Sequence, residues 1–151
     1  MFNLSLKHIL PIAFFTIFGN MQVLASNQAS TPATTAVKEC VGEEREFCIL
    51  RNFKDSIEAS RIRGKIAYDN YCVLCHGKSG LGDGRAAKLH NPKPANLTAS
   101  TYPAEYISRI IVVGGEAMSR SPAMPPWGNQ LTDEQIKDIV NLLMSIRAVA
   151  K

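Results

Sequence analysis

Near its middle the chain carries the sequence Cys72-Val73-Leu74-Cys75-His76. This C-x-x-C-H pattern is typical of covalent haem attachment. The two thiols lie one helical turn apart, so they can add to the two vinyl groups of one porphyrin, and the adjacent histidine then faces the iron. The sequence therefore predicts one haem c bonded to Cys72 and Cys75, with His76 as an axial iron ligand.

Two other kinds of site also use C-x-x-C pairs, namely thioredoxin-like redox sites and zinc sites. A thioredoxin-like pair begins a helix after a strand, whereas the residues before Cys72 have helical periodicity and no strand pattern follows. A zinc site would need two more close ligands, and the remaining cysteines, Cys40 and Cys48, are irregularly spaced. Haem attachment is therefore the preferred interpretation.

The composition is that of a compact globular chain. Of 151 residues, 46% are hydrophobic and 20% are charged, with 10 Gly and 8 Pro. These values exclude a disordered tail, a collagen-like fibre and a polytopic membrane protein. A chain of this length can bury one core but hardly two. The net charge of +4 is mildly basic, so no nucleic-acid partner is expected.

The N-terminus resembles a secretory signal. Lys7 precedes an apolar run of ten residues, Ile9–Phe18, and small residues follow at Ala25-Ser26. An uncleaved anchor is the alternative, but a spanning helix needs about 20 apolar residues. We therefore expect a signal peptide at residues 1–25, a periplasmic mature protein and no stable membrane span after cleavage. In that oxidising compartment cysteine pairs can stay oxidised.

Between residues 60 and 147, short motifs follow one another along the chain. They are Gly64-Lys65-x-x-Tyr68 before the C-x-x-C-H sequence, Gly80-x-Gly82-x-Gly84, Pro94-x-Asn96-Leu97-Thr98, Gly114-Gly115, Met124-Pro125-x-Trp127-Gly128 and Leu131-Thr132-x-Glu134-Gln135-Ile136. In this order they resemble small bacterial class I cytochromes c. The resemblance implies an all-α fold with three main helices packed around one covalently attached haem c.

The first of these helices is predicted over about Ser56–Tyr71, because apolar residues recur there at helical spacing and deliver Cys72 at the C-terminal end. Gly64 inside it costs roughly 1 kcal/mol relative to alanine. In the resembled family this glycine permits a close crossing by the C-terminal helix, and we expect the same here.

Terminal signals define the other two helices. Pro103 favours a helix start, and the segment through Val113 stops at Gly114-Gly115. Thr132 and Gln135 form a capping box for the last helix, which should end near Arg147. No segment alternates strongly enough to predict a sheet.

The chain is predicted to divide into a signal peptide (1–25), a leader with a cysteine-containing extension (26–55) and a cytochrome c domain (56–151). The stretch Lys38–Phe53 is charged and can be a short helix or an irregular flap. Cys40 and Cys48 are expected to form a disulfide. Eight residues of straight helix would rise about 12 Å, and bridged Cα atoms lie within about 7 Å, so a turn is required, with Gly42 as the candidate.

The second axial ligand has four candidates, Met118, Met124, Met144 and His90. Met144 lies next to the apolar stripe of the last helix and is interpreted as core. His90 is interpreted as an exposed loop histidine. In the resembled family the methionine of M-P-x-W-G binds the iron, which assigns Met124 as ligand, with Met118 as the fallback.

Supporting residues follow from the same resemblance. The carbonyl of Pro94 is expected to accept a hydrogen bond from His76, with Pro92 as the alternative. Trp127 is expected to reach toward a haem propionate. The glycines of G-x-G-x-G are expected to let the backbone wrap closely around the porphyrin.

These residues predict an electron carrier rather than an enzyme. No nucleophile or carboxylate-dyad arrangement accompanies the motif, and a haem with both axial positions filled has no free position for a substrate. Two alternatives stay open: the haem subunit of a larger oxidoreductase, with Lys38–Asp55 as docking element, and a haem-based sensor or peroxidase-like protein. Four cations are expected to form a basic surface that meets redox partners: Lys78, Arg85, Lys88 and Lys93.

Overall fold

The computed structural model describes residues 37–147, and the predicted signal peptide lies outside them, as does nearly all of the polar leader. This part of the chain is helical and contains no strand. Residues 37–147 form five α-helices, α1 (Arg45–Asn52), α2 (Ile57–Tyr71), α3 (Val73–His76), α4 (Ala104–Val113) and α5 (Asp133–Ser145). Short 3-10 turns lie at Val37–Glu39, Ala87–Leu89 and Glu116–Met118. The predicted all-α fold is confirmed.

The ends of the main helices lie within two residues of their predicted positions. Ser56 caps α2, where its hydroxyl accepts a hydrogen bond from the Ala59 N–H at 3.1 Å. Thr132 and Gln135 form the predicted capping box of α5. Gly114 ends α4 with a φ of 80°, a left-handed conformation that glycine adopts without strain. α5 ends at Ser145, slightly before the predicted Arg147.

Helices α2 and α5 cross in direct backbone contact at Gly64. A Cβ atom at this position would lie 2.1 Å from the carbonyl oxygen of Asp138 and 2.5 Å from its carbonyl carbon. Glycine is required at this position because any side chain would hold the two helix backbones apart. The expected close crossing is present.

A polar network that the sequence analysis missed joins the same two helices beside Gly64. Asp138 is 2% exposed. Its carboxylate accepts hydrogen bonds from the Ser60 hydroxyl at 2.5 Å and from Arg63 Nε at 2.6 Å. The Asn141 amide donates to Ser60 Oγ at 2.8 Å. A buried carboxylate needs such partners because its desolvation is otherwise uncompensated.

The main core lies between α2, α4 and α5. Its buried members are Ala67, Tyr68, Ile107, Ile111, Leu131, Ile136, Ile139, Val140 and Leu143. The prediction for Met144 is wrong, because this side chain is 41% exposed. Its neighbour Leu143 occupies the buried stripe, and one further residue rotates the side chain about 100° around the helix toward solvent.

The residues before α2 form a small N-terminal unit (residues 37–55) with its own apolar cluster. The cluster consists of Val37, Cys40, Ile49, Ala59 and Ile62, so it rests on the first half of α2. Cys40 and Cys48 are joined by a disulfide with their Cα atoms 5.7 Å apart. The chain turns between them at Gly42, whose φ is 81°. Of the two open alternatives for this stretch, the short helix is present as α1.

Candidate haem site

The attachment motif lies at the junction between α2 and the one-turn helix α3, and it contains Cys72, Cys75 and His76. Cys72 is both the C-cap residue of α2 and the N-cap residue of α3. Its carbonyl accepts hydrogen bonds from the N–H groups of Cys75 at 3.2 Å and of His76 at 2.9 Å. Cys72 and Cys75 are therefore one turn apart, as the predicted attachment requires. Both are half-buried and free of any disulfide.

The His76 ring is held by a backbone carbonyl. Its Nδ1 lies 3.1 Å from the carbonyl oxygen of Ala95, and this contact assigns the proton to Nδ1 and the lone pair to Nε2. Burial lowers the pKa of His76, while the hydrogen bond to Ala95 partly opposes that shift. A neutral imidazole with a free Nε2 is the form that binds iron. Together with two free thiols one turn apart, it fits haem c.

The carbonyl beside His76 belongs to Ala95, whereas the sequence analysis named Pro94 or Pro92. The Pro94 carbonyl packs instead against Gly82, where a Cβ atom would lie 2.3 Å from it. The path of this loop rotates successive carbonyls to different sides, so a shift of one residue changes the partner. A cofactor-binding role for Pro94 stays a prediction.

The loop after His76, here called the attachment loop (residues 77–86), folds back onto α3. Three backbone hydrogen bonds join them, from Gly82 to His76, Gly84 to Cys75 and Ala86 to Leu74. A Cβ atom on Gly84 would lie 2.3 Å from the Leu74 carbonyl. The glycines of this loop thus allow close contact between backbone segments, whereas the sequence analysis assigned them to wrapping the porphyrin.

A buried phenol, whose role no sequence pattern predicted, ties this loop to α2. Tyr68 is 2% exposed, and its hydroxyl donates a hydrogen bond to the Gly77 carbonyl at 2.8 Å. Burial raises the pKa of Tyr68 well above its usual value, so the phenol keeps the proton that it donates. The residue after His76 is therefore held at a fixed position against the core.

Met124 and Trp127 pack against the same core cluster as Cys72. The backbone carbonyl of Met124 accepts a hydrogen bond from the Gly115 N–H at 2.9 Å. The backbone N–H of Trp127 donates a hydrogen bond to the Ile111 carbonyl, also at 2.9 Å. The Trp127 ring meets the ring of Tyr71 edge-on, with centroids 5.4 Å apart. Because Tyr71 directly precedes Cys72, the structure brings the M-P-x-W-G segment next to the attachment motif.

The other candidate ligands lie elsewhere. Met118 ends the 3-10 turn Glu116–Met118 and is not among the residues packed against the main core. Met144 points away from the core, as described above. His90 is half-buried rather than exposed, and its Nε2 lies 3.9 Å from Cys75 Sγ. The interpretation of His90 as an exposed loop residue is therefore wrong, because the 3-10 turn Ala87–Leu89 directs the chain back toward the motif.

The four predicted cations of the basic surface are all exposed. Among residues 37–147, the ion pairs observed in the structure involve other side chains. Exposed leucines accompany them, with Leu74 at 50%, Leu81 at 49% and Leu89 at 76%. The surface around the attachment loop is thus both cationic and apolar.

The described residues contain no group of three or more His, Cys, Asp or Glu side chains that could hold a metal ion. In the same part, no helix is long and apolar enough to cross a membrane.

An all-α fold that presents C-x-x-C-H at the end of a long helix defines a small c-type cytochrome domain. Residues 60–143 match the family described as cytochrome C oxidase, cbb3-type, subunit III, and the chain belongs to this family. Membership implies a covalently bound haem c and an electron-transfer role, as a carrier or as part of a redox complex.

Two known proteins are similar to this chain. The Cbb3-type cytochrome c oxidase subunit CcoP of Azospirillum brasilense is 24% identical over 103 residues, which cover 68% of this chain and 34% of that protein. A chain of the Kuenenia stuttgartiensis reducing HAO-like protein complex Kustc0457/Kustc0458 is 35% identical, with a TM-score of 0.47, covering 56% of this chain and 41% of that chain. The chain thus spans about a third of the curated relative it matches.

Proposed function

We propose that this chain is a periplasmic mono-haem c-type cytochrome that carries single electrons between redox partners. The observation that carries the proposal is the His76 ring, held with its Nδ1 3.1 Å from the Ala95 carbonyl, next to two cysteines that are one helical turn away from each other and belong to no disulfide. Cys72 and Cys75 would bind the haem covalently, and His76 and Met124 would be its axial ligands. We also propose the division into a signal peptide (1–25), an extension (26–55) and a cytochrome domain (56–151).

Bound haem c would supply a one-electron couple of its iron. The surrounding residues would orient the two axial ligands. The Ala95 carbonyl fixes the plane of the His76 ring, and prolines on both sides of Met124 restrict the backbone that presents its thioether. Because both axial positions would be filled by the chain itself, this arrangement favours electron transfer over substrate binding.

Met124→Ala is expected to abolish the sulfur-to-iron charge-transfer band of the ferric protein. It should also lower the reduction potential, by a sizeable part of the roughly 0.8 V that axial ligands span, because a thioether favours ferrous iron. Visible spectroscopy and redox titration measure both. Met118→Ala is the matched control and should retain the band and the potential.

The opposite pattern in these two variants would assign the ligand to Met118. Rapid carbon monoxide binding to the reduced wild-type protein at neutral pH would instead favour the sensor or peroxidase-like alternative, because it requires a weak or absent sixth ligand.

Redox partners are proposed to dock on the basic surface formed by Lys78, Arg85, Lys88 and Lys93. Lys78 and Arg85 lie on the attachment loop, Lys88 and Lys93 follow it in sequence, and the same stretch exposes Leu81 and Leu89. Complementary charge speeds the encounter, while a small apolar contact allows rapid release.

The Lys78→Glu/Lys88→Glu variant is expected to react about tenfold more slowly with ferricyanide, an anionic oxidant, at low ionic strength. The wild-type rate should fall steeply with added salt, because exposed charges are screened within about 8 Å at physiological ionic strength. Stopped-flow oxidation of the reduced holoprotein measures both effects. The control is Lys54→Glu/Lys137→Glu, which makes the same change in net charge at exposed lysines elsewhere. Equal rates in the two variants would contradict the proposal.

A second candidate function is that of a fixed subunit in a larger oxidoreductase. The N-terminal unit favours it, because residues 37–59 precede the family match and expose apolar side chains, with Val41 at 76% and Phe47 at 61%. The matched family and the curated relative are also named as oxidase subunits. In this case the N-terminal unit would dock permanently on a partner and leave the haem site free.

In the subunit case, the native protein should elute from a sizing column well above its own mass of 16.5 kDa. Val41→Ser/Phe47→Ser should then release it as a monomer, whereas Leu81→Ser, at another exposed apolar position, should not. Elution of the native wild-type protein as a monomer would favour the shuttle instead.

A further inference from the structure

Two tyrosines and an arginine form a surface cluster outside the residues assigned above. The rings of Tyr102 and Tyr106 stack with their centroids 4.1 Å apart. The guanidinium of Arg120 lies 5.3 Å from the centre of the Tyr102 ring. Its Nε donates a hydrogen bond to the Tyr106 hydroxyl at 3.0 Å, and its Nη2 donates to the Tyr102 hydroxyl. One cation thus contacts both rings through three interactions.

Arg120 belongs to the segment that carries Met124, here called the methionine loop (residues 114–125). The Arg120 N–H donates to the Gly115 carbonyl at 2.8 Å, and the Gly115 N–H donates to the Met124 carbonyl at 2.9 Å. Ser119 turns the chain with a φ of 55°. These backbone contacts close the loop on itself, but they do not attach it to the rest of the fold.

The two ends of the loop are joined to their surroundings, since the Gly114 N–H donates to the Ile110 carbonyl of α4 at 3.0 Å and Met124 packs against the main core. On the C-terminal side, the Trp127 N–H donates to the Ile111 carbonyl near the end of α4. At the tip of the loop, Arg120 binds Tyr106, in the first turn of α4, and Tyr102, which precedes that helix. Tyr102 is itself fixed to the residues that follow α5, since Arg147 Nη2 donates to its carbonyl at 2.5 Å.

We propose that Arg120 is a positioning residue for Met124. Arg120 holds the tip of the methionine loop on Tyr102 and Tyr106, so the loop is already ordered before the Met124 thioether binds the iron. The entropic cost of binding the thioether is therefore lower. The inference rests on the proposed role of Met124 as an iron ligand and adds a residue that does not contact the iron. An arginine that is merely solvated would leave the properties of Met124 unchanged.

The test is the affinity of the ferric holoprotein for imidazole, which competes with the thioether for the sixth position. Arg120→Ala is expected to bind imidazole about fivefold more tightly, a factor that corresponds to the loss of an exposed cation–π contact. Tyr102→Phe/Tyr106→Phe keeps the ring stack but removes both hydroxyl acceptors, so it should shift the affinity in the same direction. Arg120→Lys keeps the charge but cannot donate to both hydroxyls from one rigid fork, so it should rescue the wild-type affinity only in part.

Arg109→Ala is the control, because Arg109 is an exposed arginine on α4. It should leave the imidazole affinity unchanged, and the unfolding temperatures of the Arg109 and Arg120 variants should be similar. Wild-type affinity in Arg120→Ala would overturn the proposal while leaving Met124 as the ligand. Absence of the charge-transfer band in the wild-type protein would overturn the ligand assignment and this inference with it.

Discussion

The Cys72→Ser/Cys75→Ser variant is expected to carry no covalent haem, whereas the wild-type chain carries one per polypeptide. The two thiols are half-buried, lie one turn apart and belong to no disulfide. Removing both leaves no bond that survives denaturation. Intact mass under denaturing conditions, on protein from cells with working haem-attachment machinery, measures the difference. Cys40→Ser/Cys48→Ser is the matched control and should keep its haem.

Thiol counting on the same samples tests the disulfide of the N-terminal unit. Haem attachment consumes one pair of cysteines and the bond between Cys40 and Cys48 consumes the other. The denatured wild-type holoprotein should therefore show no free thiol before reduction and two afterwards. Two free thiols without reductant would contradict the disulfide, and a wild-type mass without haem would contradict the attachment.

Gly64→Ala is expected to lower the free energy of unfolding by about 2 kcal/mol. Helix propensity alone predicts the opposite sign, because alanine is favoured over glycine by roughly 1 kcal/mol. The added Cβ would lie 2.1 Å from the Asp138 carbonyl oxygen, so α2 and α5 must move apart. Overpacking of this kind typically costs about 1–3 kcal/mol and occasionally more. Here the added atom would clash with a helix backbone, which cannot rotate away as a side chain can. The separation would also stretch the hydrogen bonds between Asp138 and α2.

Urea unfolding followed by far-UV circular dichroism measures this change in the holoprotein. Asn70→Ala is the control, since Asn70 is exposed on the same helix and should change stability by no more than about 0.5 kcal/mol. A Gly64→Ala protein as stable as the wild type would show that the two helices separate without cost, and would contradict the tight crossing.

Much of the fold could be predicted from local sequence. The ends of α4 and α5 follow from Gly114 and from the Thr132–Gln135 capping box, since both signals act within one or two helical turns. The attachment motif is equally local, because its five residues are the one-turn helix α3 and the Cys72 N-cap of that helix. The crossing at Gly64 was anticipated only through the family resemblance, and the structure supplied its geometry.

The sequence by itself determined the helical class, the positions of the main helices and the predicted haem attachment motif, because caps, apolar periodicity and C-x-x-C-H act over a few neighbouring residues. Tertiary structure alone decided that Asp138 is buried beside Ser60 and Arg63, contacts separated by 78 and 75 residues. It also decided that Ala95 rather than Pro94 faces His76. The carbonyl that meets a ring, or the carboxylate that enters a helix interface, depends on how distant backbones pass one another, and no local pattern encodes that approach.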